Sequence, residues 1–253
     1  MRVERRGEEN PEYTVSGCIH GDEPCGKEAI ERFLDKEWEF RKPVQFLVAN
    51  QRALEKGERF TEVDLNRSFP GNLDSENYEE RLAAKILEKV KGTKVLDVHS
   101  TKSFDRPFAN HSRKNTEVRS LIESTGVDYS CHFPVSVGAL NEQVDGVTLE
   151  AGEQGTGKAA ENAYRVMKNF LASEGVIEQE FETSSPEHFK RIGTVMGDWE
   201  FVAENFEKVD KGEVFARGES EEMRAEKEFY PVLMSTSGYD GMLGHKAKKM
   251  EWE

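Results

Sequence analysis

No run in this 253-residue chain approaches the roughly 18 consecutive apolar residues of a membrane-spanning helix, so no membrane partner is expected. The start, M-R-V-E-R-R-G-E-E-N, lacks the apolar core of a secretory signal, and the expected location is the cytoplasm. Cysteine is scarce. Cys18, Cys25 and Cys131 are odd in number and form no C-x-x-C pair, which excludes a disulfide framework. Basic residues are outnumbered, 35 against 49 acidic, for a net charge of −14. A chain this acidic lacks the basic face that phosphate binding requires, so nucleic acid is excluded as the main partner. Internal repeats and low-complexity tracts are also missing, which leaves an ordinary folded chain long enough to bury a substantial core.

What is present alternates. Y-T-V-S-G-C-I-H (13–20) reads as a strand, and Pro24 opens a helical stretch, K-E-A-I-E-R-F-L. V-Q-F-L-V-A-N (44–50) is an apolar run typical of a buried strand. A polar loop follows. Ser75 is positioned to cap the next helix, whose apolar stripe is Leu82, Ile86, Leu87 and Val90. K-V-L-D-V-H-S (94–100) is another strand, followed by a helix (114–124), strands at 128–133 and 147–150, and a helix at 157–173. Strand alternating with helix predicts an α/β sheet covered on both faces over residues 1–180. From 181 to 253, after the linker E-T-S-S-P-E, short β-like runs with turn glycines predict a smaller β-rich domain.

The chemistry starts in G-C-I-H-G-D-E-P-C-G (17–26). His20 and Glu23 form an H-x-x-E pair at a strand-to-helix turn, where an imidazole and a carboxylate can reach one ion. Alone, that pair is a common polar turn. His99 adds a nitrogen donor near the carboxyl end of its strand, the edge where open α/β sheets bind ligands. Asp97 shares its strand face and can support it. Glu150 ends the apolar strand V-T-L-E and is a solvated strand-end charge or a general base. Arg59, Asn66 and Arg67 lie on one loop, where arginine serves as a salt-bridge partner or binds carboxylates and oxyanions. Cys25 beside His20 leaves a cysteine nucleophile open. His111, His132, His188 and His245 lack ligand-like spacing and read as surface or core residues.

Taken in order, G-C-I-H-G-D-E-P, R-F-T-E-V-D-L-N-R-S-F-P-G, L-D-V-H-S-T and L-E-A-G resemble the succinylglutamate desuccinylase/aspartoacylase family of the zinc carboxypeptidase superfamily. The resemblance implies a mixed sheet flanked by helices, with a smaller C-terminal β-rich domain that roofs the site. It implies one zinc ion held by His20, Glu23 and His99. Glu150 would activate water and protonate the leaving amine, and Arg59 would polarise the scissile carbonyl. Asn66 and Arg67 would hold a carboxylate of a small substrate, with Tyr239 as a further substrate contact. The implied reaction is hydrolysis of the amide, or ester, bond of an N-acylated amino acid.

One feature of aspartoacylases is missing. Their second substrate arginine lies shortly before the glutamate, and V-G-A-L-N-E-Q-V-D-G-V-T-L-E has no arginine. Lys102, Arg106, Arg113 and Lys114 are available as replacement cations. A peptidase with an open cleft and a non-catalytic zinc-binding relative are the rival readings. Assembly into a homo-oligomer stays open.

Overall fold

The five residues Y-T-V-S-G form β2 (Tyr13–Gly17), buried at every position. Such a strand needs neighbours on both sides. It has them in β3 (Val44–Val48) and β4 (Lys94–Thr101), both paired in parallel with it. The strand stops at Gly17, three residues before the expected end, because Cys18 takes a positive φ of 59° and turns the chain. Pro24 then precedes α1 (Cys25–Leu34), which packs close to β2. A Cβ on Gly17 would lie 2.8 Å from the Gly26 Cα, so glycine on both sides permits that approach.

The computed structural model describes residues 1–134, 138–239 and 241–252. The remaining elements are β1 (Arg2–Arg6), α2 (Gln51–Lys56), α3 (Tyr78–Val90), β5 (Phe108–His111), α4 (Thr116–Thr125), β6 (Tyr129–His132), α5 (Leu140–Gln143), β7 (Gly146–Glu153) and α6 (Gly157–Ser173). Then come β8 (Glu187–Met196), β9 (Glu200–Phe201), β10 (Val214–Arg217), β11 (Glu222–Arg224), β12 (Tyr230–Val232) and β13 (Met242–Lys249). Ten strands form one mixed sheet, ordered β1-β3-β2-β4-β7-β5-β6-β8-β13-β12. A small antiparallel sheet, β11-β10-β9, stands apart from it. β8 pairs in parallel with β6, so the C-terminal residues continue the main sheet.

Alternate residues of the sheet feed two cores, as the period of two requires. Val15, Phe46, Leu96 and Val98 pack with α1, α4 and α6 through Phe33, Leu121 and Phe170. Leu47 and Val95 pack on the other side with Leu82, Ile86 and Val90 of α3. The expected stripe on α3 is therefore correct, with Leu87 only partly buried. The expected cap is not. α3 begins after Asn77, and the Ser75 Oγ instead accepts from the Asn77 N–H and bonds Glu80.

One residue of α3 does something else. Glu79 is fully buried. Its Oε1 accepts from the Thr61 N–H and hydroxyl, both at 2.7 Å, and from Asn50 Nδ2 at 3.3 Å. Its Oε2 accepts from the N–H groups of Glu62 (3.1 Å) and Val63 (3.3 Å). Burial alone would raise its pKa, but these five donors hold the carboxyl below its ordinary value. The loop carrying Arg59 and Asp64 is thus tied to α3. Glu79→Gln turns an amide N–H₂ towards backbone donors, at a cost of about 2 kcal/mol. The expected fall in Tm is about 5 °C; an unchanged melting curve at pH 7 would show that the loop does not depend on this carboxylate.

Candidate metal centre and substrate pocket

Parallel pairing sets out the site. β4 and β7 run side by side with His99 opposite Glu150. The chain leaving β2 turns at Cys18, bringing His20 and Glu23 over the same carboxyl edge. Gly21 lets this turn sit against α2: a Cβ there would lie 2.2 Å from the Ala53 carbonyl carbon. Its N–H donates to the Arg59 carbonyl, which joins the turn to the loop.

His20, Glu23 and His99 are all buried, and one donor atom from each lies within 4.8 Å of the others. Glu23 is central. Its Oε1 is 2.8 Å from His20 Nδ1, and its Oε2 is 3.0 Å from His99 Nδ1. The far nitrogen of each ring faces an aspartate: His20 Nε2 lies 3.2 Å from Asp64 Oδ1, and His99 Nε2 lies 2.9 Å from Asp97 Oδ2. Two Nδ1 atoms and a carboxylate facing one point, each imidazole oriented from behind by an acid, is a donor set that suits zinc. Burial alone would lower both imidazole pKa values, but Glu23 with Asp64, and Asp97 with Glu23, raise them. Burial would likewise raise Glu23, and the two imidazolium charges hold it well below its ordinary value.

Asp64 was missed at sequence level, although it stands inside D-L-N-R. It caps the 3-10 turn at 65–67 and accepts from the Asn66 N–H at 2.9 Å. Arg59 joins Asp64 (3.1 Å) to Glu23 (3.4 Å), with its guanidinium 5.3 Å from the centre of the Tyr239 ring. Glu150 lies beside this cluster, with Asn110 Nδ2 donating to its Oε1 at 3.2 Å. Burial, helped by the negative charge of Glu23, pushes its pKa up to about 7 against the pull of His99, His20 and Arg59.

A cavity of about 320 Å³ joins Arg59, Asn66, Arg67, Glu150 and Tyr239, so the structure brings all five together. Asn66 Oδ1 accepts from the Leu140 N–H, Arg67 donates to the Asn66 carbonyl, and Tyr239 is 47% exposed at the mouth. A second cavity of about 70 Å³ shares Arg59 and Tyr239 and is lined by Asp22, Glu23, Ser100 and Lys102. Of the four candidate replacement cations, Arg106 pairs with Asp128, Arg113 with Asp145, and Lys114 lies over Trp252. None of these three lines the larger cavity. Arg191 and His245 do, from β8 and β13, and neither was singled out in the sequence. Cys25 is no nucleophile: its thiol donates to the His99 carbonyl, and burial pushes its pKa far up. His111 and His132 are buried and stacked at 5.0 Å, while His188 and His245 are partly exposed.

Known proteins are similar to this chain in sequence and in fold. The Succinylglutamate desuccinylase/Aspartoacylase catalytic domain matches residues 9–173. The succinylglutamate desuccinylase of Pseudomonas putida KT2440 is 39% identical over 141 residues, covering 54% of this chain and 39% of its own length. The match thus spans about two fifths of that relative. In fold, the product-bound ectoine utilization protein EutE (DoeB) of Ruegeria pomeroyi has a TM-score of 0.79 at 19% identity, covering 98% of this chain and 87% of that one. Murine aminoacylase 3 has a TM-score of 0.74 at 17% identity, with 97% of both chains covered. With more than half of its length matched, from just before β2 to the end of α6, the chain belongs to the succinylglutamate desuccinylase/aspartoacylase family.

Proposed function

We propose that this protein is a zinc-dependent deacylase that hydrolyses the amide bond of a small N-acylated amino acid. The observation that carries the reading is the pairing of His99 with Glu150 across β4 and β7. It sets a carboxylate of raised pKa beside a buried two-histidine, one-carboxylate donor set. His20 Nδ1, a Glu23 oxygen and His99 Nδ1 would hold the ion. Zinc bound there would supply a Lewis acid that acidifies a water and polarises a carbonyl.

The side chains divide the remaining work. Glu150 takes the proton of the attacking water on Oε2, the oxygen that Asn110 does not hold, and returns it to the leaving amine. Arg59, oriented by Asp64 and Glu23, directs its guanidinium to the oxygen that gains charge. Asn66 and Arg67 take the carboxylate of the amino acid. Leu233, Tyr239 and Met242 line a cavity of about 320 Å³, a volume in the range of small-molecule sites, which favours this reading over a peptidase.

Three measurements bear on this. Glu150→Gln is expected to bind zinc as the wild type does while losing about 10²- to 10⁴-fold in turnover of N-acyl amino acids; retained turnover removes Glu150 as the base. Arg59→Ala is expected to lose roughly 10²- to 10³-fold in kcat with zinc still bound, and an unchanged kcat removes Arg59. Zinc titration tests the donor set. Because His20 and His99 hold protons above the ordinary imidazole range when metal-free, zinc must displace them near pH 7. Calorimetry in buffers of differing ionisation enthalpy should show proton release, which falls away as pH rises through the raised values. By the same sign, the metal-free protein loses stability over that rise, and the zinc-loaded protein does not. Binding without proton release at pH 7 would contradict the assignment.

A further inference from the structure

Among the described residues five asparagines are buried: Asn50, Asn110, Asn141, Asn169 and Asn205. Four of them use both ends of the amide. Asn50 accepts from the Ala53 N–H and donates to Glu79, while Asn141 accepts from the Ser112 hydroxyl and donates to Thr148. Asn169 and Asn205 each accept from one backbone N–H and donate to two carbonyls. Asn110 differs. Its Nδ2 donates to Glu150 Oε1 at 3.2 Å, and its buried Oδ1 has no partner in the protein. Burying an amide with one end unpaired costs stability, so an asparagine kept for the fold alone would not stand this way. A carboxylate only accepts, so the nitrogen end of the amide is the one that faces Glu150.

Strand pairing explains the placement. Asn110 of β5 stands opposite Thr148 of β7, which shares a face of the sheet with Glu150 two residues on. Asp97 of β4 flanks Thr148 on its other side. One row of the sheet is therefore Asp97, Thr148 and Asn110, and the row in front of it holds His99 and Glu150. From the rear row Asp97 holds the His99 ring at 2.9 Å, with its own Oδ1 unpartnered. Asn110 stands to Glu150 as Asp97 stands to His99. Among the described residues it gives the Glu150 side chain its one hydrogen bond.

We propose that Asn110 is a positioning residue for Glu150. By holding Oε1 it fixes the plane of the carboxylate, so that Oε2 faces first the water and then the leaving nitrogen. The proposal rests on the deacylase reading, in which Glu150 is the base.

Asn110→Leu keeps the bulk of the side chain and removes the donor. In the zinc-loaded protein its kcat for N-acyl amino acids should fall about 10- to 100-fold, with KM little changed. Asn110 bonds none of His20, Glu23 and His99, so zinc affinity should stay at the wild-type value. A double-mutant cycle decides whether the effect passes through the base. Added to Glu150→Gln, Asn110→Leu should cost nothing further. A loss as large in that background as in the wild type, a loss traced to zinc affinity, or an unchanged kcat overturns the proposal. Asn110→Ala removes the same donor and completes the cycle should the leucine variant not fold. If the wild type turns over no N-acyl amino acid, the deacylase reading falls by itself. Crystal structures of the zinc-loaded wild type and variant then test the positioning: a displaced or split Glu150 carboxylate supports it, and an unmoved one overturns it.

Discussion

The site depends on the register of three parallel strands. Gly17 of β2 stands opposite Val98 of β4, Val98 opposite Leu149 of β7, and the next pair is His99 with Glu150. Side chains alternate along a strand, so a slip of one residue between β4 and β7 would turn Glu150 into the core that Leu149 now fills. The apolar residues that fix the register, Leu96, Val98, Val147 and Leu149, occupy the positions between the polar ones. The same alternation that builds the core therefore aligns the chemistry.

That alignment concentrates charge where water is scarce. Glu23, Asp64 and Asp97 surround two imidazoles, and Arg59 closes the set from the loop. Buried charges survive only when paired. Here each carboxylate has a ring nitrogen at hydrogen-bond distance, and a ring donates to the carboxylates on both its sides only when both its nitrogens carry protons. Glu79, on α3, is paired in the same way with backbone N–H groups, which ties α3 to the loop that carries Arg59 and Asp64.

Much of this was legible in local patterns. The strands around 13–17, 44–48, 94–101 and 146–153 are apolar runs, and His20, Glu23, His99 and Glu150 stand at their ends in recognisable order. What was hidden depends on contacts distant in sequence. β1 is a charged edge strand, R-V-E-R-R, whose partner β3 begins nearly forty residues later, so no apolar pattern announces it. Asp64 acts on an imidazole 44 positions away, and Glu79 on a loop 16 to 18 positions away. Arg191 reaches the pocket only because β8 pairs with β6. A search for cations near Glu150 in sequence misses a cation that approaches through the sheet.

The pairing of β6 with β8 also bears on how molecules come and go. Met242 and His245, which line the pocket, belong to β13, which is hydrogen-bonded to β8, Leu233 follows β12 on the other side of β13, and β8 is bonded to the strand that follows β5 in the sheet. Cover and base are thus parts of one backbone ladder. Swinging the cover away would break several inter-strand bonds at once, a slow and costly event. Tyr239, 47% exposed, joins this wall through a backbone bridge to Met242, with the Arg59 guanidinium over its ring. This wall is therefore held by backbone bonds, and side-chain rotation is its least costly motion.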